Sequence, residues 1–212
     1  MDHIKNELQN IISGQSKIGY GAIIQTAACY LRGSTQAGAV AEKTKQYKAQ
    51  EAKTLKDFIT SNKLWIEHIP VESYVSEGAE QKVYLKNDRA VYKLNDSIYY
   101  ACWEDYFISL LLHNYFFPDT AYMLEGFYFD KEILFALVSQ PYVKASEKTD
   151  MKKLNQFMEN NGFKNIRNHD YYNSSLGIIA EDLHDENVLT EDGILRFIDT
   201  VFYLDYPAFW AK

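Results

Sequence analysis

The sequence predicts an α+β fold in which an N-terminal helical segment precedes an antiparallel sheet and a smaller C-terminal portion. Three observations carry this prediction. Apolar residues recur at helical spacing through much of residues 1–69, and paired Tyr- and Val-rich runs of alternating character follow around turn residues. Near the C-terminus, the acidic stretch "EDLHDENVLTEDGILRFIDT" (Glu181 to Thr200) sits among short apolar runs.

Ile4, Leu8, Ile11 and Ile12 repeat at helical spacing, as do Ile23, Ile24, Ala27, Ala28 and Leu31 beyond "GYG". "RGSTQAGAV" interrupts the pattern. A lysine-rich helix is expected from about Glu42 to Ser61, with Tyr47, Leu55, Phe58 and Ile59 on its apolar side. Its lysines suit a solvated face, and a basic docking surface is the competing reading. "KVYL" (Lys82–Leu85) and "AVYKL" (Ala90–Leu94) flank "KNDR" as a hairpin. A strongly apolar helix follows, roughly Tyr99 to Phe116, stopped by Pro118. "YMLEGFYF" and "EILFALVSQ" form a second hairpin around "DK", and "PYVK" leads to a polar helix from about Asp150 to Asn160 that Gly162 ends. The Asn-rich piece to Ser175 reads as irregular connection, and two short strands then bracket the acidic loops.

Composition excludes several classes. The 212 residues are 47% hydrophobic with four prolines, which suits a globular chain with a real core and not a disordered one. A net charge of -7 argues against sequence-independent nucleic-acid binding, which needs cations against phosphates. Cys29 and Cys102 are too few for a disulfide framework and read as buried thiols in a reducing compartment. Met1 to Asn10 has no signal-peptide core, and "FISLLLHNYFF" and "ILFALV" are too short to span a bilayer, so a cytoplasmic protein without membrane partners is expected. His113 lies on the apolar helix as a core histidine, while His3, His68 and His169 share no metal-ligand spacing. Trp65, Trp103 and Trp210 read as core and interface.

The acidic stretch carries chemistry. Asp182 and Asn187 lie five positions apart and Asp199 follows 12 later, at the end of "ILRFI". Hard cations such as Mg2+ prefer carboxylate and amide oxygens and complete their shells with substrate phosphates. A further carboxylate beside them can take the proton of an attacking hydroxyl. This is a donor set for phosphoryl transfer. A solvated acidic hairpin is the competing reading of the same residues.

"DLHDENVL" followed by "LRFID" resembles the catalytic loop and metal-binding strand end of the protein-kinase-like superfamily, including aminoglycoside-type phosphotransferases. "SEGAEQKVYLKNDRAVYKL" is similar to a kinase glycine-rich loop and its lysine strand, and "LVSQPYVK" falls at the hinge that holds adenine. With the helical N-terminus leading through "KLWI" to "EGAEQKVY", the chain is most similar to polyvalent protein kinase-like domains of bacterial phages and integrative elements. The resemblance implies a compact protein-kinase-like fold: a helical extension over 1–69, an N-lobe with hinge over 70–144, and a minimal C-lobe over 145–212. It also implies a phosphotransferase using ATP and Mg2+ on an unidentified hydroxyl acceptor, protein or small molecule. Asp182 matches the catalytic aspartate, Asn187 and Asp199 the metal ligands, and Lys93 the phosphate-binding lysine with Glu104 as its partner. Gly78 falls in the phosphate-covering loop, and Gln140 and Tyr142 fall at the adenine hinge.

Departures from the pattern keep a second function open. Ala180 stands where protein kinases usually have His, "DTV" (Asp199 to Val201) replaces Asp-Phe-Gly, and His184 replaces a common lysine as in small-molecule phosphotransferases. Only 13 residues follow Asp199, which is too few for a peptide-gripping subdomain. A nucleotide-binding pseudokinase acting as an interaction module is the alternative.

Overall fold

A computed structural model describes residues 2–19, 21–34, 45–69, 71–78 and 81–211. Helices α1 (Asp2–Ser13), α2 (Ala22–Ser34) and α3 (Lys45–Ser61) come first. Tyr20, the interruption at 35–40 and the expected helix start at 42–44 lie outside the described residues. Leu55, Phe58 and Ile59 form the buried side of α3, as their spacing predicts, and Glu51 is buried with them.

Strands β1 (Tyr74–Glu77), β2 (Gln81–Asn87), β3 (Ala90–Asn95), β4 (Met123–Asp130) and β5 (Ile133–Pro141) build an antiparallel sheet in the order β1-β2-β3-β5-β4. Helix α4 (Trp103–Phe116) is inserted between β3 and β4. Leu124, Phe127, Ala136 and Val138 pack from one sheet face against α2, α3 and α4. The other face buries Tyr84, Leu94 and Leu137 beneath Ile66 and Ile69. Ile66 and Leu64 are bonded to Phe127 through its carbonyl and N–H, which lays the segment after α3 along β4.

Helix α4 starts at Trp103, later than the expected Tyr99, because Tyr100 N–H closes a turn on Ser97 O and Ser97 is left-handed (φ 57°). Nearly all of α4 is buried, from Trp103 and Tyr106 through Asn114, so it has no solvent face to make it amphipathic. Its Phe107 and Leu111 join the sheet-side core while Ile108 and Leu112 join a second core. Most of its inward polar groups are paired, the buried His113 Nδ1 being an exception. Asn114 exchanges two hydrogen bonds with the Tyr122 backbone, and Ser109 Oγ accepts from Phe202 N–H at 2.9 Å. Buried His113 sets Nε2 3.1 Å from Thr120 O, and burial pushes its pKa down to about 3, so the ring is neutral.

The second core holds α5 (Met151–Asn160) against β7 (Asp170–Asn173), β8 (Ile178–Glu181) and β11 (Val201–Leu204), and the exposed β6 (Lys164–Arg167) completes a sheet ordered β11-β8-β7-β6. A separate hairpin pairs β9 (Val188–Glu191) with β10 (Ile194–Phe197), and the short α6 (Tyr206–Trp210) follows. Gly162 ends α5 in the left-handed conformation, as predicted (φ 81°). The expected irregular connection to Ser175 is instead the β6–β7 hairpin. Its alternation is masked because β6 is exposed throughout and the inward Asn173 is polar, satisfied by Leu176 N–H and Asn161 O. Four strands, not two, surround the acidic loops. Cys102 is buried, but Cys29 is only half-buried; Trp103 is core, whereas Trp65 and Trp210 are exposed. Among the described residues no helix is long and apolar enough to cross a membrane.

Two outcomes follow from this packing. Gly177 has φ 68°, and a Cβ there would lie 2.4 Å from Phe209 N, so Gly177→Ala should cost on the order of 2 kcal/mol or more in chemical denaturation. Glu51 accepts the first N–H of α4, from Trp103 at 2.7 Å, while burial and then the charges of Glu104 and Asp105 raise its pKa to about 7. The folded protein therefore holds this proton more tightly than the unfolded chain. Its stabilising contribution is complete below about pH 4.5 and is lost as pH rises through about 7, a change on the order of 2 kcal/mol. Thermal unfolding of Glu51→Gln across that range should lack this part of the wild-type slope, because an amide keeps the bond without the charge.

Candidate functional site

Lys93 projects from the α4-facing side of β3 with its side chain 4% exposed. A buried ammonium needs an anion and hydrogen-bond acceptors. It finds both at the link between β10 and β11: Nζ lies 2.9 Å from Asp199 Oδ1 and 2.9 Å from Ile198 O. Gln81 Nε2, from the start of β2, donates to the same Oδ1 at 2.7 Å. Tyr122 donates its single hydroxyl proton to Ile198 O at 2.6 Å and sets its oxygen 3.2 Å from Asp199 Oδ1. Burial and the Asp199 charge keep the Tyr122 pKa far above its ordinary value, so it remains a donor.

The acidic loop is tied to this cluster through its backbone. Ile198 N–H donates to Asn187 O at 2.9 Å, and Asp199 N–H points to the same carbonyl at 3.4 Å. Asp182, directly after β8, is left-handed (φ 64°) and anchors its N–H on Asp170 Oδ1 at 3.2 Å. Asn187 Nδ2 donates to Asp182 Oδ2 at 2.7 Å and to Asp182 O at 2.9 Å. His184 Nδ1 accepts Glu186 N–H, which assigns its proton to Nε2, 3.1 Å from Asp182 Oδ1. Both oxygens of Asp182 are thus held, yet the side chain is 53% exposed and faces solvent. Burial, then Asp170 and Asp182, raise the pKa of neighbouring Glu181.

Lys93 thus pairs with Asp199 and Asn187 with Asp182, and the two pairs are joined through the Asn187 backbone carbonyl. Other expected residues are placed differently. The pair expected between Lys93 and Glu104 does not form: Glu104 sits in the first turn of α4, where Arg32 Nε of α2 lies 2.9 Å from its Oε1. From α4, Tyr106, Ser109 and Leu110 line the small void beside Asp199, so no α4 carboxylate reaches Lys93 there. Gly78 closes the β1–β2 turn by donating to Gln81 O at 2.9 Å; a Cβ on it would meet nothing within 4 Å, so packing does not require glycine. Ala79 and Glu80 lie outside the described residues.

Gln140 is buried and donates to Thr120 O at 2.8 Å, and Tyr142 N–H is taken by Arg89 O, so neither offers these donors to a ligand. A cavity of about 760 Å³ is lined by the β2–β3 turn, by Pro118, Asp119 and Ala121, and by Ser139, Gln140 and Pro141 of this segment. Sequence reasoning missed Gln81, Tyr122 and Arg32. Gln81 follows the glycine-loop match directly and was open to detection, whereas Tyr122 is one of 17 tyrosines with no motif around it.

A family model for serine/threonine/tyrosine kinases found in polyvalent proteins matches residues 48–206. The chain belongs to this kinase family. The matched span contains every member of the Lys93–Asp199 and Asp182–Asn187 clusters and leaves α1 and α2, with Arg32, outside. No curated protein matches the chain. Among the described residues of this kinase-family chain, no three His, Cys, Asp or Glu side chains form a metal cage.

The two ion pairs separate cleanly in a double-mutant cycle read by denaturation. Lys93→Met with Asp199→Asn should show coupling of about 1 kcal/mol or more, and Arg32→Ala with Glu104→Gln about 0.5–1 kcal/mol. Lys93→Met with Glu104→Gln should be additive within about 0.3 kcal/mol.

Proposed function

We propose that this kinase-family chain is an ATP- and Mg2+-dependent phosphotransferase acting on a hydroxyl acceptor, protein or small molecule. The observation that carries the reading is the meeting of the Lys93 ammonium, the Asp199 carboxylate and the Asp182–Asn187 loop, drawn from strand ends more than 100 residues apart in the case of Lys93 and Asp199. A helix between β3 and β4 of the five-stranded sheet supports reading 70–144 as the upper lobe, 145–212 as a reduced lower lobe and 1–69 as a helical extension.

Lys93 holds the inner phosphates of the nucleotide. Asp199 and Asn187 fit a hard cation, since both supply oxygen and Asn187 spends its amide N–H groups on Asp182, leaving its carbonyl oxygen as acceptor. Mg2+ bound there supplies charge neutralisation for the phosphates. Asp182, oriented by Asn187 and by His184 Nε2–H, accepts the proton of the acceptor hydroxyl as its oxygen bonds to the terminal phosphorus and the bond to the ADP oxygen breaks. In the hinge, Tyr142 N–H is engaged, and adenine falls instead to the next backbone donor, Val143 N–H, which makes no hydrogen bond among the described residues. Gly78 lies in the turn above, and the cluster reaches it through Gln81. Glu104 takes no part in this reading because Arg32 holds it. That sequestered carboxylate, with Ala180 in place of histidine, favours the second reading, a domain that binds nucleotide without transferring phosphate.

Calorimetric titration of ATP with and without Mg2+ tests the site. Binding should require Mg2+ and weaken at least about tenfold in Asp199→Ala, whereas Asp182→Asn should bind normally yet lose about 100-fold or more of phosphate release from ATP. Wild-type binding without turnover on any hydroxyl acceptor selects the second reading, and no binding at all rejects both.

A further inference from the structure

Lys93 has three N–H groups, and two of them bond to Asp199 Oδ1 and Ile198 O, each at 2.9 Å. The ammonium also lies over an aromatic ring: Nζ is 5.4 Å from the centroid of Tyr122, within reach of a cation–π attraction. The same residue acts on the partner of that ammonium. Its hydroxyl donates to Ile198 O at 2.6 Å, so this carbonyl receives Lys93 and Tyr122 together and both its lone pairs are spent. The peptide leading into Asp199 is thereby fixed. Asp199 turns Oδ1 to Lys93, Gln81 and the Tyr122 oxygen, while its Oδ2 makes no hydrogen bond among the described residues.

Tyr122 is itself held in place. It is 4% exposed, Asn114 of α4 grips its N–H and carbonyl at 2.7 and 2.8 Å, and the neutral ring of His113 packs on it with centroids 4.7 Å apart. The expected α4 carboxylate is elsewhere, since Arg32 holds Glu104. Helix α4 therefore reaches the lysine and the aspartate through Tyr122. We propose that Tyr122 is the positioning residue of this site: its ring steadies the Lys93 ammonium, and its hydroxyl fixes the Ile198–Asp199 peptide so that Asp199 Oδ2 is left for a cation. The inference rests on the phosphotransferase reading and names what orients its lysine and aspartate. The two parts of the side chain have separable effects, because the hydroxyl acts through Asp199 and the ring through Lys93.

The experiment is calorimetry of Mg-ATP titrated into Tyr122→Phe and Tyr122→Leu, each made in the wild type and in a second background. Tyr122→Phe keeps the ring and leaves Ile198 O bonded to Lys93, so no buried acceptor is stranded. It should weaken Mg-ATP about fivefold in the wild type, the effect of one hydrogen bond, and by less than about twofold in Asp199→Ala. Tyr122→Leu removes the ring as well and should lose about a further fivefold, a loss that disappears in Lys93→Met. A merely structural tyrosine would weaken binding by the same factor in every background. That result, or no loss in Tyr122→Phe, overturns the assignment while leaving the phosphotransferase reading intact. No binding of Mg-ATP by the wild type overturns both. If Tyr122→Leu fails to fold, the Tyr122→Phe and Asp199→Ala cycle alone decides.

Discussion

The all-round burial of α4 is the constraint on which the rest of the structure depends. An apolar helix of 14 residues cannot be stable with any side in water, so every side must be covered. The sheet and α2 and α3 cover one part of it, and the β7–β8–β11 layer with α5 and α1 covers another. Both cores are therefore built around one element, which fixes their relative placement. The N-terminal helices belong to this arrangement: Lys5 and Gln9 of α1 bond to the carbonyls of Ala208 and Phe209. Glu51 of α3 accepts the first N–H of α4, in place of a side-chain cap at Cys102.

Polar groups on α4 carry that constraint to the site. Ser109 accepts Phe202 N–H, and Asn114 grips the Tyr122 backbone; Phe202 and Tyr122 flank Asp199 in sequence and in space, respectively. Phe117, just past the helix, stacks on Phe197 with centroids 3.9 Å apart. Asp199 is thus held from before and behind in the chain. Its carboxylate faces a buried ammonium, an arrangement that low polarity makes strong when paired and costly when broken. The neighbouring loop has the opposite character. Asp182 is oriented by two side chains but remains half open to solvent.

The elements legible in the sequence were those whose period or punctuation survives without context. Hairpins around "KNDR" and "DK" announce themselves by turn residues between alternating runs, and α5 ends at a glycine. Strand β6 was not legible because all four of its side chains are exposed, and β7 was hidden by the inward Asn173, whose polarity is balanced only by partners at 161 and 176. The start of α4 was placed early because Tyr99 and Tyr100 are as apolar as the helix itself, and the turn that excludes them depends on Asn95 accepting Ser97 N–H.

The same division runs through the site. The order and spacing of Lys93, Asp182, Asn187 and Asp199 were set by the sequence alone, since short strands leave their ends little freedom and place those ends together. The sequence also determined that the chain is acidic and belongs among kinase-like proteins. Which partner each group takes was decided only by the tertiary structure. Glu104 is near Lys93 in a linear pattern, but helix phase turns it toward Arg32, and Gln81 and Tyr122 reach Asp199 from elements that no local pattern connects to it. A hydrogen bond is selected by distance and direction in space, and those arise only after the two cores have closed on α4.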